Sequence, residues 1–250
     1  MVLPVPMYCY TSENTNTLNS CYQSFTNLLN SNTKGFAVLV DPDHFKVSDA
    51  GSFILSIPKE TTHIFVGGSK IVNGETERTV RSLKQHCSLP ILLFPGDASQ
   101  ITGEADGILF LSLLSGRSPE YLIEQQVEAV PKLKGTNLEI ISMGYILVDG
   151  GTVSSVQRVS NTKPMSQDDV QAIVDTALAG EYLGKKLIYL EAGSGAKYPV
   201  GPEIIRSVKQ EISVPLIVGG GIKNEQQKQD AFQAGADLVV MGTAFETKQL

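Results

Sequence analysis

The sequence predicts an α/β protein built as one (β/α)8 barrel, a TIM barrel, and three observations carry that prediction. Eight short apolar runs recur along the chain. They are continuous rather than alternating, as parallel strands buried on both faces must be. Helix-forming stretches separate most of them, the pattern of strand–helix–strand crossovers. Several runs end in glycine, an acid or a hydroxyl, the residue types a barrel gathers at the C-terminal ends of its strands, where its chemistry is done. With 250 residues, 42% of them hydrophobic and 18% charged, the chain can fill and solvate one large core.

The elements follow in order. An extra helix is expected over 17–29, ahead of the first strand. Strands are expected at 36–40, 63–66, 90–94, 107–111, 138–143, 187–190, 215–218 and 238–241. Between the third and fourth strands lies only Pro-Gly-Asp-Ala-Ser-Gln-Ile-Thr-Gly-Glu-Ala-Asp, residues 95–106. That is short and turn-rich for a crossover, so a loop is predicted in place of the third outer helix. Residues 112–119 read as a loop after the fourth strand. A helix follows at 119–133, with Leu122, Ile123, Val127 and Val130 at helical spacing. Residues 145–164 read as a long polar connection carrying Gly150, Gly151, Arg158 and Lys163, able to fold over the barrel mouth. The next helix, 166–183, has Ser166 as its expected N-cap and Asp168 and Asp169 in the first turn. Helices at 202–211 and 224–234 complete the series, the last closed by Gly235. Residues 1–250 read as a single domain. No linker, internal sequence repeat or low-complexity tract is evident beyond the Asn/Ser/Thr-rich N-terminus.

Composition excludes several classes. A formal net charge of −6 argues against broad nucleic-acid binding, which needs a basic face. Cys9, Cys21 and Cys87 are odd in number and lack C-x-x-C spacing, so they read as reduced thiols of a cytoplasmic protein. His44, His63 and His86 are too scattered for a zinc site. No apolar run approaches the roughly 20 residues that span a bilayer, and no secretory leader is visible.

The chemistry gathers at strand ends. Tyr189-Leu-Glu-Ala-Gly-Ser-Gly-Ala196 leaves the sixth strand with an acid, a hydroxyl and two glycines. Glu191, just past an apolar strand, is the candidate general base, because desolvation lifts a carboxyl into a useful range. Tyr189 lies two residues earlier and faces the same side. A structural ion pair at the rim is the competing reading. Gly219, Gly220 and Gly221 end the seventh strand, and Gly242 and Thr243 the eighth. Loops at these two ends form the phosphate site of many barrels, and glycine lets backbone N–H groups approach an anion. Plain turn chemistry is the alternative. Asp41-Pro42-Asp43 ends the first strand, where Asp41 can ligate magnesium or cap a turn. Gly67-Gly68-Ser69 ends the second, where Ser69 can supply a second oxygen or cap a helix. Arg117 can meet a diphosphate bidentately or remain a solvated loop arginine.

Taken together, Val40-Asp-Pro-Asp43, Val66-Gly-Gly-Ser69, Phe110-Leu-Ser-Leu-Leu-Ser115, Tyr189 to Ala196, Val218-Gly-Gly-Gly-Ile222 and Met241-Gly-Thr243 resemble the geranylgeranylglyceryl phosphate synthase family. That family includes the bacterial heptaprenylglyceryl phosphate synthases. The chain looks closer to the archaeal-type branch and its bacterial relatives, since Asp-Pro-Asp stands where the heptaprenyl branch favours Asp-Pro-Asn-Lys. The resemblance runs from about residue 36 to 245. It implies a modified barrel without its third outer helix. It implies transfer of a polyprenyl group from its diphosphate to the C3 hydroxyl of sn-glycerol 1-phosphate, with Mg2+ required and diphosphate released. Carried over by position, Asp41 and Ser69 would hold Mg2+. Tyr189, Leu190, Glu191, Ala192, Gly193, Ser194, Gly195 and Ala196 would surround glycerol phosphate, with Tyr189 and Glu191 on its hydroxyls. Gly219, Gly220, Gly221, Gly242 and Thr243 would receive its phosphate. A homo-oligomer, dimer or hexamer, is implied too, and peripheral membrane contact is expected because substrate and product carry long apolar tails. Two other readings stand beside this one: another phosphate-binding barrel, such as a sugar-phosphate isomerase or a flavin enzyme, and a non-catalytic glycerol-phosphate binder.

Overall fold

Eight parallel strands close into a barrel in simple sequential order in the computed structural model, which describes residues 20–31, 33–68 and 74–242. The strands are β1 (Gly35–Val40), β2 (His63–Val66), β3 (Ile91–Leu93), β4 (Gly107–Leu113), β5 (Glu139–Leu147), β6 (Leu187–Glu191), β7 (Leu216–Gly219) and β8 (Leu238–Met241). Strand β8 pairs with β1 to complete the ring. The helices are α1 (Cys21–Ser31), α2 (Ala50–Ser56), α3 (Glu75–Lys84), α4 (Gln125–Leu133), α5 (Ser155–Ser160), α6 (Val170–Tyr182), α7 (Pro202–Glu211) and α8 (Glu225–Ala234). Between β3 and β4 there is a single 3-10 turn, Ala98–Gln100, and no outer helix, as the short crossover predicts.

Alternation along each strand divides the core in two. One set of side chains, including Phe65, Leu92, Leu109, Met143, Tyr145, Tyr189, Ile217 and Val240, fills the barrel. The other set, including Val38, Ile64, Ile108, Ile146, Leu190 and Val218, packs under the outer helices. Helix α1 belongs with the first set, because Phe25 is fully buried and stacks on His63 at 4.7 Å. Its N-terminus is held by Glu139 at the start of β5, whose carboxylate accepts the amides of Cys21 (2.5 Å) and Tyr22 (3.2 Å). Helix α1 thus plugs the end of the barrel opposite the C-terminal strand ends.

Four expectations are corrected. Strand β5 continues to Leu147, so Tyr145 lies in the sheet and the polar connection begins only after it. Strand β4 likewise takes in Ser112 and Leu113. Helix α6 is capped by Asp169, whose carboxylate accepts the Ala172 amide, while Ser166 only closes a turn to Asp168. The 119–133 segment opens with a π turn, Glu120–Glu124, before α4. It buries Gln126, Ala129 and Leu133, leaving Ile123, Val127 and Val130 exposed. Of the four apolar residues at helical spacing only Leu122 packs on the core, in register with Gln126, Ala129 and Leu133, so the rest of the apolar row faces outward.

A two-fold correspondence also appears that sequence inspection misses. Asp106, just before β4, accepts the Ile91 amide of β3 at 2.9 Å and pairs with Lys84 at 2.7 Å. Asp237, just before β8, accepts the Leu216 amide of β7 at 2.8 Å and pairs with Lys209 at 2.6 Å. The β3–β4 and β7–β8 units are therefore built alike, half a turn of the barrel apart. Ser88-Leu-Pro-Ile-Leu-Leu and Ser213-Val-Pro-Leu-Ile-Val carry the likeness in sequence.

Candidate active site

The site grows from the last residues of β6. Tyr189 and Glu191 point into the barrel, and Leu190 between them points out to the helices, as a two-residue period requires. Glu191 is only 6% exposed. Burial lifts its carboxyl to about 7, against the opposing pull of the Gly193 amide and the Tyr189 hydroxyl. The Gly193 N–H donates to Glu191 Oε1 at 2.7 Å, made possible by the left-handed backbone of Gly193, φ 100°. A rim ion pair is not its role in this structure, since Glu191 lies in no salt bridge among the described residues.

The end of β7 closes directly on this carboxyl. Gly219 leaves room for the Tyr189 hydroxyl, which a Cβ would overlap. A Cβ on Gly220 would overlap Glu191 Oε1 and come within 2.5 Å of the Gly193 amide nitrogen. Gly220 and Gly221 both adopt positive φ, 77° and 71°. Acid, hydroxyl and glycine-rich strand end are thus in mutual contact. Gly242, at the end of β8, leaves ordinary contact with Leu39 of β1. Thr243 lies outside the described residues.

Within the β6 loop, Ala192 and Ala196 are buried under the helices, so with Leu190 they can meet a ligand through backbone atoms only. Ser194 and Gly195 are exposed at the mouth. Below, Tyr189 stacks between Phe94 (5.3 Å) and Tyr145 (5.4 Å), forming an aromatic floor. Burial, then the Glu191 charge, pushes both phenols well above their ordinary value, so both stay protonated donors. Tyr145 is the residue that sequence reading missed at this site. Continuing the alternation Ile141, Met143 by one step would have placed it inside.

Asp41 stands at the end of β1. Its Oδ1 accepts the Asp43 amide at 3.0 Å and its Oδ2 lies 3.4 Å from His44 Nδ1, so it does close a turn. It remains a quarter exposed, and a Cβ on Gly68 would stand 2.9 Å from both carboxylate oxygens. The glycine keeps that face of the carboxylate open. Ser69 lies outside the described residues. The described residues contain no cluster of three His, Cys, Asp or Glu able to enclose a metal. A hard cation at Asp41 would need oxygen ligands from a substrate, which suits Mg2+ and its habit of bridging to phosphates. Arg117 does not reach the centre, because its guanidinium donates to the carbonyls of Leu114 (3.0 Å) and Gly116 (2.7 Å).

Helix α5 lies over the mouth. Val156 packs on the interior side-chain set, and the Tyr121 hydroxyl donates to the Val159 carbonyl at 3.1 Å. Beside the missing helix an apolar hollow opens, lined by Pro95, Ile101, Ile108, Phe110, Tyr121 and Ala129. Gln126, on its wall, leaves its buried Oε1 without a hydrogen-bond partner.

Comparison with known proteins identifies the family. The chain is 56% identical over 215 residues to the geranylgeranylglyceryl phosphate synthase of Zunongwangia profunda, covering 86% of this chain and 92% of that one. It is 43% identical to the synthase of the same name from Thermococcus kodakarensis, over 84% of this chain and 83% of that one. The (S)-3-O-geranylgeranylglyceryl phosphate synthase of Thermoplasma acidophilum, solved in complex with sn-glycerol-1-phosphate, superposes with a TM-score of 0.84. That match is 34% identical and covers 92% of this chain and 93% of that one. Residues 29–249 match the PcrB family, and the chain belongs to it.

Proposed function

We propose that this protein transfers a geranylgeranyl or other polyprenyl group from its diphosphate to the C3 hydroxyl of sn-glycerol 1-phosphate, forming an ether lipid precursor. The observation that carries the proposal is Glu191, a buried carboxyl lifted to about 7 and in contact with a glycine-rich strand end. A base there stands beside an anion cradle, which positions a phosphorylated alcohol with its hydroxyl against the acid. The phosphate rests on the backbone of Gly219, Gly220, Gly221, Gly242 and Thr243, and Tyr189 orients the glycerol hydroxyls.

In the reaction the bond from the allylic carbon to the diphosphate oxygen breaks and a new carbon–oxygen ether bond forms. The C3 hydroxyl proton passes to Glu191, and diphosphate leaves with the bonding pair. Mg2+, when bound, neutralises the departing diphosphate as a Lewis acid. Asp41 and Ser69 are the residues that would hold it. The chain's own task is mainly positioning, because an allylic carbon ionises early. The apolar hollow beside the absent third helix supports placing the prenyl tail there.

The exposed row Ile123, Val127 and Val130 supports a homo-oligomer, dimer or hexamer, which light scattering would establish or remove. Unpaired Cys21 and Cys87 support a cytoplasmic setting. The decisive experiment combines purified protein, Mg2+, labelled glycerol 1-phosphate and polyprenyl diphosphates of increasing length. After phosphatase treatment, label extractable into organic solvent is expected, and the best donor sets the chain length. A folded protein that yields no extractable label with any donor overturns the proposal.

A further inference from the structure

We infer that Gln100 is a positioning residue for the prenyl diphosphate, holding the end of β2 in register with the lip of the apolar hollow. The inference deepens the function proposed above and rests on it.

The ladder between β2 and β3 breaks one rung early. The Ile64 N–H donates to the Pro90 carbonyl at 3.0 Å, and the Phe94 N–H to the Val66 carbonyl at 2.8 Å. At the two-residue period of a parallel ladder, the next bonds would join Gly96 N–H to the Gly68 carbonyl and Gly68 N–H to the Phe94 carbonyl. The Gln100 amide stands in that place instead. Its Nε2 donates to the Gly68 carbonyl at 2.8 Å. Its Oε1 accepts the Gly96 N–H at 3.1 Å and, more weakly, the Gly68 N–H at 3.5 Å. The Phe94 carbonyl lies against Gly67, where a Cβ would overlap it. Only one orientation of the amide meets all three backbone groups, and a carboxylate, which cannot donate, meets only two. Gln100 is 3% exposed, so water does not replace these bonds.

The side chain is fixed from outside the site. It leaves the 3-10 turn that stands where the third outer helix is missing. Asp97 caps that turn by accepting the Ser99 amide at 2.7 Å, and Lys132 of α4 donates to the Ala98 carbonyl at 2.8 Å. On one side of the Gln100 amide, Gly68 keeps a face of the Asp41 carboxylate open. On the other, Gly96 lines the apolar hollow. One amide therefore sets the strand end beside the candidate Mg2+ ligand against the wall that would take the tail. A single donor molecule must reach both places at once, and small misplacements of bound groups are costly to a reaction run by positioning. Among the described residues Gln100 makes no hydrogen bond to β6, β7 or β8, where glycerol 1-phosphate is placed.

The test is equilibrium binding to the full chain, by calorimetry, of geranyl diphosphate with Mg2+ and, separately, of glycerol 1-phosphate. Each variant is compared with wild type at the same pH. At a pH of about 8, Q100E and Q100L are expected to bind the diphosphate about tenfold more weakly, as the loss of a buried hydrogen bond implies. Both should bind glycerol 1-phosphate within about twofold of wild type, since distant sites act independently. Lowering the pH to about 5 restores Q100E, whose protonated acid donates and accepts as the amide does, and leaves Q100L weak. Undiminished diphosphate binding by both variants, an equal loss for the two ligands, or no recovery of Q100E overturns the inference. If Q100L fails to fold, the recovery of Q100E alone decides. A wild type that binds geranyl diphosphate yet transfers nothing removes the proposed function, and these titrations still judge Gln100. A wild type that binds no prenyl diphosphate overturns both.

Discussion

At the scale of single residues, Glu191 carries the sharpest predictions. If it takes the hydroxyl proton, transfer rises with pH through about 7 and levels off above. Glu191→Gln should lower turnover by ~100-fold or more and flatten that rise, which a pH–rate profile reads directly. The same carboxyl sets a stability cost. Its folded value stands above that of the unfolded chain, so the stability held in the protonated form is complete below about 4.3. It is lost as pH rises through about 7. Urea unfolding at a pH of about 8 should therefore find E191Q more stable than wild type, by on the order of 3 kcal/mol. Near pH ~4 the two should agree. Loss of activity without that gain would mean the carboxyl is not buried in the working enzyme. Gly220→Ala tests the neighbouring contact. Its Cβ would overlap Glu191 Oε1 at a positive φ of 77°, so weaker use of glycerol phosphate is expected, as a raised KM in steady-state kinetics. Sequence alone could name Glu191 and the glycines, because an acid and Gly at strand ends leave a visible pattern. The Glu191–Gly220 contact was not legible, since it joins β6 to β7 across the barrel.

Elements were legible where their pattern is local. All eight strands and the missing third helix follow from continuous apolar runs and from the length of one loop. What escaped was set by tertiary packing. Helix α2 offers Ala-Gly-Ser-Phe-Ile-Leu-Ser with Leu55 89% exposed, too short and too irregular for a periodic signal. Helix α4 turns Gln126, Ala129 and Leu133 inward and its more apolar row outward, a choice the spacing of apolar residues does not announce. Helix α1 was expected, but not as a plug, because its partners His63 and Glu139 are remote in sequence. That plug should respond to acid. His63 bonds the Ser24 hydroxyl at 2.6 Å and the Thr62 hydroxyl at 2.8 Å, and burial lowers its value to about 4. Its folded value lies below that of the unfolded chain, so the contribution of the neutral ring is complete above about 6.5. It is lost as pH falls through about 4. Hydrogen exchange over residues 21–31 should quicken across that window ahead of the strands, and His63→Phe, which keeps the stack on Phe25, should abolish the dependence. Uniform exchange across the barrel would place the acid weakness elsewhere.

For the whole molecule, the two-fold likeness separates architecture from function. The β3–β4 and β7–β8 units share an aspartate that holds the preceding strand and a helix lysine, yet their C-terminal ends differ. Gly219-Gly220-Gly221 stands where Phe94-Pro95-Gly96 stands in the other half, so one end suits an anion and the other an apolar chain. The two ends face each other across the mouth, with Glu191 packed against the anionic one, an arrangement that fits a substrate pair of one phosphate and one hydrocarbon tail. The shared aspartates can be compared, because each holds the same kinds of partner, a strand amide and a helix lysine, while their burial differs. Asp237 is 4% exposed and Lys209 25%, whereas Asp106 is 35% exposed and Lys84 37%. Removing a partner from a buried pair strands a charge and costs about 3–5 kcal/mol, while an exposed pair contributes about 1 kcal/mol or less. Each alanine also loses one accepted amide, worth about 1 kcal/mol. Urea titration should therefore place D237A well below D106A in unfolding midpoint, with both still folded at neutral pH. Equal losses would show that the amide bond to the preceding strand, which the two share, dominates over the ion pair, which differs in its exposure to water.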